Sequence, residues 1–153
     1  MCADSGYSQY EVSTFSIQDT FKSKHNLGYW RGVDYIGIGP GAHGRFRSTN
    51  MSVIKTFRIL DPNGWMRSVN DVGHGIKKID VVNATSVSKE ATVLGLRTLE
   101  GVDLTKSKHI LDLEATNHLV DRGFLSYGEN GNRLIPTSKG LQLMDSILPE
   151  IIK

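Results

Sequence analysis

Apolar and polar positions divide the chain into three stretches of different texture. In residues 1–50, short apolar runs alternate with glycine and aromatic residues, which predicts short strands joined by loops. Tyr10-Glu11-Val12-Ser13-Thr14-Phe15 sets Tyr10, Val12 and Thr14 against Glu11 and Ser13, a strand pattern. Asp34-Tyr35-Ile36-Gly37-Ile38-Gly39 reads as a second strand, buried and running into a glycine turn, and residues 22–30 between them have loop character. Residues 51–85 open with a further strand, Val53-Ile54-Lys55-Thr56-Phe57-Arg58-Ile59-Leu60. Asp61-Pro62 then starts a helix, with Asp61 as cap and Pro62 in the first turn. Trp65, Met66 and Val69 are its expected buried stripe, and Gly73-His74-Gly75 its end.

Residues 86–153 have the cleanest periodicity. A helix is expected around residues 88–96, with Ala91 and Leu94 on its face, and another through Leu111, Ala115, His118 and Leu119, stopped by Gly123. Phe124-Leu125-Ser126-Tyr127 and Arg133-Leu134-Ile135-Pro136 flank Gly128-Glu129-Asn130-Gly131-Asn132, a hairpin signal. Thr137 or Ser138 caps a final helix buried through Met144, Ile147, Leu148 and Ile151. Helix, helix, hairpin, helix is the order of a winged-helix-like module. The first stretch, by contrast, is too short to cover its own strands and reads as a piece of a larger sheet or barrel. The expected fold class is therefore α+β, in segments 1–50, 51–85 and 86–153.

The 153 residues, 39% hydrophobic and 22% charged, have ordinary globular composition. With 18 Lys and Arg against 16 Asp and Glu, the net charge of +2 does not point to nucleic acid. No apolar run approaches a bilayer span, so no membrane crossing is expected. Cys2 is the one cysteine, which rules out a disulfide within the chain and a closed thiolate metal site. Met1-Cys2-Ala3-Asp4-Ser5-Gly6 has neither the features of a secretory signal nor those of a mitochondrial transit peptide. Either the protein stays where it is made or its natural start lies upstream.

Two clusters could carry chemistry. Gly37-Ile38-Gly39-Pro40-Gly41-Ala42-His43-Gly44 follows a predicted strand, and consecutive N–H groups in such a run can cradle an anion or a nucleoside. The same run equally suits a tight crossing of two strands, and its spacing is neither a dinucleotide fingerprint nor a P-loop. His25-Asn26-Leu27-Gly28-Tyr29-Trp30 gathers an imidazole, an amide and two large aromatics. Imidazole ligates heme iron and aromatics stack on a flat macrocycle; the alternative is a hydrogen-bonded loop histidine with aromatic anchors. His43, His74, His109 and His118 lack metal-ligand spacing, and His118 falls on the apolar side of its predicted helix. Arg97 and Glu100 read as solvated or as a structural pair. A DNA-reading helix is disfavoured by Asp112, Glu114 and Asp121, with Arg122 its one cation and only Arg133 and Lys139 on the wing.

Together these segments resemble a known family. Tyr10-Glu11-Val12-Ser13, the run from His25 through Trp30 to Arg31-Gly32, and the run from Asp34 to Gly44 resemble the late barrel segment of the HemN/HemW group of radical-SAM proteins. That group comprises oxygen-independent coproporphyrinogen oxidases and related heme chaperones. Leu94-Gly95-Leu96-Arg97, Gly101-Val102-Asp103-Leu104, Arg122-Gly123-Phe124-Leu125 and Ser138-Lys139-Gly140-Leu141 resemble its C-terminal domain, and Asn63-Gly64-Trp65-Met66 its animal mitochondrial branch. The resemblance implies the end of a partial (β/α) barrel over residues 1–50, a connecting segment over 51–85, and a winged-helix-like domain over 86–153. It implies a [4Fe–4S] cluster on a Cys-x-x-x-Cys-x-x-Cys loop, with S-adenosylmethionine on the fourth iron position, in the complete protein only. That loop has no counterpart here, so no catalysis is expected of this chain. Heme bound through His25, with Tyr29 and Trp30 beside it, is the implied ligand, and heme-accepting apoproteins are the implied partners. Backbone at Gly39, Gly41 and Ala42 would border the S-adenosylmethionine pocket. The implied location is the mitochondrion, otherwise the cytoplasm. The alternatives are a fragment of a coproporphyrinogen III oxidase and a winged-helix interaction or nucleic-acid-binding module.

Overall fold

The alternating run near the N-terminus folds back on itself instead of forming one strand. The computed structural model describes residues 3–153, so Cys2 lies outside the described residues. In it, β1 (Ser8–Glu11) and β2 (Thr14–Ser16) pair antiparallel, with Glu11 opposite Thr14 and Val12-Ser13 between them. A register shift between Gln9 and Glu11 leaves Tyr10 as a bulge residue, and Tyr10 is buried. Its phenolic oxygen accepts the Ser23 N–H at 2.9 Å, and the Ser23 hydroxyl in turn accepts the Asn26 N–H at 3.2 Å. Ser23 thereby caps α1 (Lys24–Trp30), a helix where a loop was expected. The cap and the inward Leu27 offset the poor helix propensity of Gly28.

Residues 33–87 form one compact unit. Its sheet is antiparallel in the order β3 (His43–Arg47), β4 (Val53–Arg58), β5 (Ile76–Val82), with α2 (Pro62–Val72) between β4 and β5. The expected buried strand over residues 34–39 is reduced to a single bridge, Tyr35 to Arg45, and Ile36 and Ile38 are exposed. The ladder stops because Gly39 (φ 104°) and Gly41 (φ 69°) turn the chain in the left-handed region. Asp61 caps α2 as expected, accepting the Gly64 N–H at 2.6 Å, and Gly73 ends it with φ 81°. The predicted apolar stripe is present but not buried: Trp65 and Val69 are half-buried and Met66 is exposed.

Residues 1–32 and 88–153 form the other unit. The chain continues through α3 (Ala84–Gly95), β6 (Val102–Asp103), α4 (Leu104–Ser107), α5 (Leu113–Asp121), β7 (Leu125–Tyr127), β8 (Arg133–Pro136), α6 (Ser138–Gln142) and α7 (Met144–Ile151). Its sheet order is β6-β8-β7. The units divide at residues 32 and 87, and the expected boundaries at 50 and 85 do not coincide with them. The reason is hydrogen bonding: Val12 N–H donates to Arg97 O at 2.9 Å and Leu99 N–H to Tyr10 O at 3.1 Å, binding the N-terminal hairpin to the later segment.

The core of this unit gathers Leu96, Leu111, Leu125, Leu134, Met144 and Ile151, all but fully buried. The hairpin and the inward positions of α7 stand where the pattern put them, but the expected single final helix is two: Thr137 caps α6, and α7 starts after Leu143 with no side-chain cap. Other positions differ. On α3 the buried residue is Thr92, its hydroxyl bonded to Ser88 O at 2.9 Å, while Ala91 is exposed. On α5 Thr116 and Leu119 point inward and His118 is exposed, because Leu111 precedes the helix and does not set its face. Among the described residues no helix is long and apolar enough to cross a membrane.

Candidate functional site

The hairpin tip, α1 and the segment after α3 enclose a cleft of about 440 Å³ lined by Glu11, Thr14, Asn26, Tyr29, Trp30 and Arg97, with Val12 and Ser13 at the turn. This lies within the size range of small-ligand pockets. Its wall is fixed by a buried carboxylate. Glu11, 2% exposed, accepts the Trp30 indole N–H at 2.5 Å and the Thr14 hydroxyl. The Arg97 guanidinium lies 5.7 Å from the Trp30 ring centre and pairs with Asp145 at 2.6 Å. His25 does not line the cleft. Its exposed imidazole packs edge-on against Tyr29, one helical turn later, with ring centres 4.7 Å apart and planes at 83°.

The second candidate cluster lies in the other unit and works as a chain crossing. A Cβ on Gly37 would stand 2.1 Å from His43 O, and one on Gly44 2.5 Å from Thr56 Oγ1. The N–H groups proposed to cradle a ligand have partners in the chain. Gly41 N–H donates to Ile59 O at 2.8 Å and Ala42 N–H to Gly39 O at 3.3 Å, while Arg58 Nε donates to Gly37 O at 2.6 Å. The Gly41 and Ala42 N–H groups are thus already engaged within the chain. Cys2 alone cannot supply three thiolates to a cluster. Among the described residues no three His, Cys, Asp or Glu side chains converge as a metal site.

Arg97 and Glu100 do not pair with each other. Glu100 binds Arg31 at 2.5 Å, and that hydrogen bond holds its carboxyl below the usual carboxylate range and raises the Arg31 guanidinium. Glu11 and Arg97 are the site residues that the sequence pattern missed. Glu11 occupies the polar phase of an alternating run, which signals solvent, and Arg97 enters from far along the chain. The one available signal was Trp30, whose indole N–H needs an acceptor when covered.

No family model matches the chain. Radical S-adenosyl methionine domain-containing protein 1, mitochondrial, of Danio rerio is 34% identical to it over 170 residues, covering 97% of this chain and 36% of the relative. The protein of the same name from Mus musculus is 41% identical over 161 residues, covering 95% and 35%. Heme chaperone HemW of Mycobacterium tuberculosis (strain ATCC 25618 / H37Rv) is 26% identical over 147 residues, covering 96% and 35%. The chain is a homologue of these proteins. It spans little more than a third of the length of the relatives it matches. In structure it is similar to coproporphyrinogen III oxidase (HemN) of Escherichia coli, a radical SAM enzyme, with a TM-score of 0.67 at 15% identity, covering 97% of this chain and 38% of that one. The likeness to HemN shows the fold, and the likeness to the HemW group reaches along nearly the whole chain.

Proposed function

We propose that this chain is the C-terminal, heme-contacting portion of a heme chaperone of the HemW type. One observation carries the reading: an exposed imidazole, His25, packed edge-on against Tyr29, which with Trp30 lines the cleft. An imidazole free to reach iron, beside aromatic surface, suits a porphyrin held at an open site. Arg97 gives the cleft a cation for a propionate, in exchange with Asp145. The chain binds and does not catalyse, since the cluster thiolates of a radical-SAM centre are not supplied by Cys2. Residues 86–153 serve as a winged-helix-like module, for which the β6-β8-β7 sheet and its flanking helices speak. Residues 1–50 would be the end of a partial barrel and 51–85 its connection to that module. Heme-accepting proteins are the partners, and the mitochondrion, named for several relatives, is the location.

The test is a hemin titration of the chain beside His25→Ala, following the Soret band. A saturable, shifted band that the variant loses is the expected result. Equal titrations would remove His25 as the ligand and with it this reading. The oxidase alternative is supported by the HemN fold alone. The nucleic-acid alternative is opposed by α5, whose outer face carries Glu114 and Asp121.

A further inference from the structure

The sheet of residues 33–87 has two unlike faces. Directly opposed residues of antiparallel strands share a face, so Phe46, Ile54 and Val81 form one row and Gly44, Thr56 and Ile79 the next. Ile36 falls on the same side, because the bridge of its neighbour Tyr35 to Arg45 sets it opposite Gly44. The reverse face mixes Arg45, Arg47, Lys55, Lys78 and Asp80 with Val53, Phe57 and Val82. The charges of the sheet gather on that reverse face, and a sheet is built to bury the face that carries fewer of them. Here that face is open at both sides: Ile36 and Val81 are each 70% exposed and Ile79 is 59% exposed. Its centre, Gly44 and Thr56, is buried, and apolar side chains left exposed along both flanks mark an interface. Gly44 keeps its centre flat, since a side chain there would collide with Thr56.

The occupant follows from the lengths. The match to the Danio rerio relative takes in 97% of this chain but 36% of the relative, and the match to HemN 97% and 38%. The larger part of each of those folds lies outside the matched stretch. We propose that the face of Ile36, Phe46, Ile54, Ile79 and Val81 is the docking seam for that part: a polypeptide with the fold of the relatives' remaining length packs on this side of the sheet. The seam is independent of heme and of the α1 cleft.

Co-expression tests it without requiring either part to stay soluble alone. The 153-residue chain is produced with a tagged fragment of the Danio rerio relative comprising its residues outside the matched stretch. Co-purification in equal amounts is expected. Ile79→Ser/Val81→Ser should weaken the complex about tenfold or more, as loss of central apolar contacts does. Lys78→Ser/Asp80→Ser, on the opposite face of the same strand, should leave it unchanged. Both positions of the first variant are exposed, and circular dichroism of the chain alone checks that it stays folded. Failure to co-purify, or equal loss in both variants, would overturn the proposal. A homodimer of the chain that disappears in Ile79→Ser/Val81→Ser would overturn it too, by assigning the face to a second copy.

Discussion

Glu11 is the residue on which the α1 cleft depends. Its carboxylate is buried and takes the Trp30 indole N–H and the Thr14 hydroxyl together. Glu11→Ala would leave both donors without their acceptor, at a cost of about 1–3 kcal/mol where water does not take its place, whereas Glu11→Gln keeps an oxygen acceptor and costs less. Urea unfolding followed by tryptophan fluorescence checks this, and an unchanged midpoint for Glu11→Ala would show that water replaces the carboxylate. The Arg31–Glu100 pair makes the opposite case, because both partners are about half exposed. The folded-state pKa of Glu100 is lowered, so the pair's contribution is present above the ordinary carboxylate range and is lost as pH falls through the folded value. Solvent screening limits it to about 0.5 kcal/mol. Arg31→Met should therefore sit slightly below the parent in stability at neutral pH and converge with it in acid; a gap that persists once Glu100 is protonated would mean packing and not charge. His25, Tyr29 and Trp30 stood out in the sequence because they are near neighbours in it, yet only Tyr29 and Trp30 line the cleft. Glu11 and Arg97 did not stand out, because strand pairing and a long-range contact bring them there.

Elements were legible where a local signal fixes them. Asp61-Pro62 and Gly73 bound α2, and Thr137 caps α6, each through a bond that sequence alone implies. The β1–β2 hairpin was hidden because its turn, Val12-Ser13, has none of the usual glycine, asparagine or proline. Helix α1 was hidden by Gly28 and by its seven-residue length, too short to show a period. Strand β5 was missed because Ile76-Lys77-Lys78-Ile79-Asp80-Val81-Val82 breaks strict alternation at both ends. Close packing between elements is equally invisible from sequence. Gly140 on α6 abuts β7's lead-in, and a Cβ there would stand 1.9 Å from Phe124 O. Gly140→Ala should cost about 1–3 kcal/mol or more by forcing α6 away from that carbonyl. Gly128→Ala, with its nearest contacts at 3.4 Å, should change the thermal midpoint little. Equal effects at the two positions would mean that α6 shifts freely.

Burial is divided unevenly between the two units, and local stability follows burial. The apolar core draws on residues from Leu96 to Ile151, with Val12 packed against it. In residues 33–87, by contrast, Val53 is buried, but Ile79, Val81, Met66 and Val72 stand exposed, and α2 buries no residue at all. Helix α2 has every local advantage: an Asp61 cap, Pro62 in its first turn and Gly73 at its end. If caps governed local stability, its amides would resist exchange as well as those of α7, which has no side-chain cap. If burial governs, the order reverses, because α7 places Met144, Ile147, Leu148 and Ile151 in the core. Hydrogen exchange separates the two. The expected result is that α2 amides exchange on the order of a hundredfold or more faster than those of α7, a difference of about 2.8 kcal/mol in opening free energy. Addition of the partner fragment proposed for the apolar sheet face should slow exchange in β4 and β5 while leaving α7 unchanged. Equal protection of α2 and α7 in the chain alone would mean that the exposed stripe of α2 is already covered in solution.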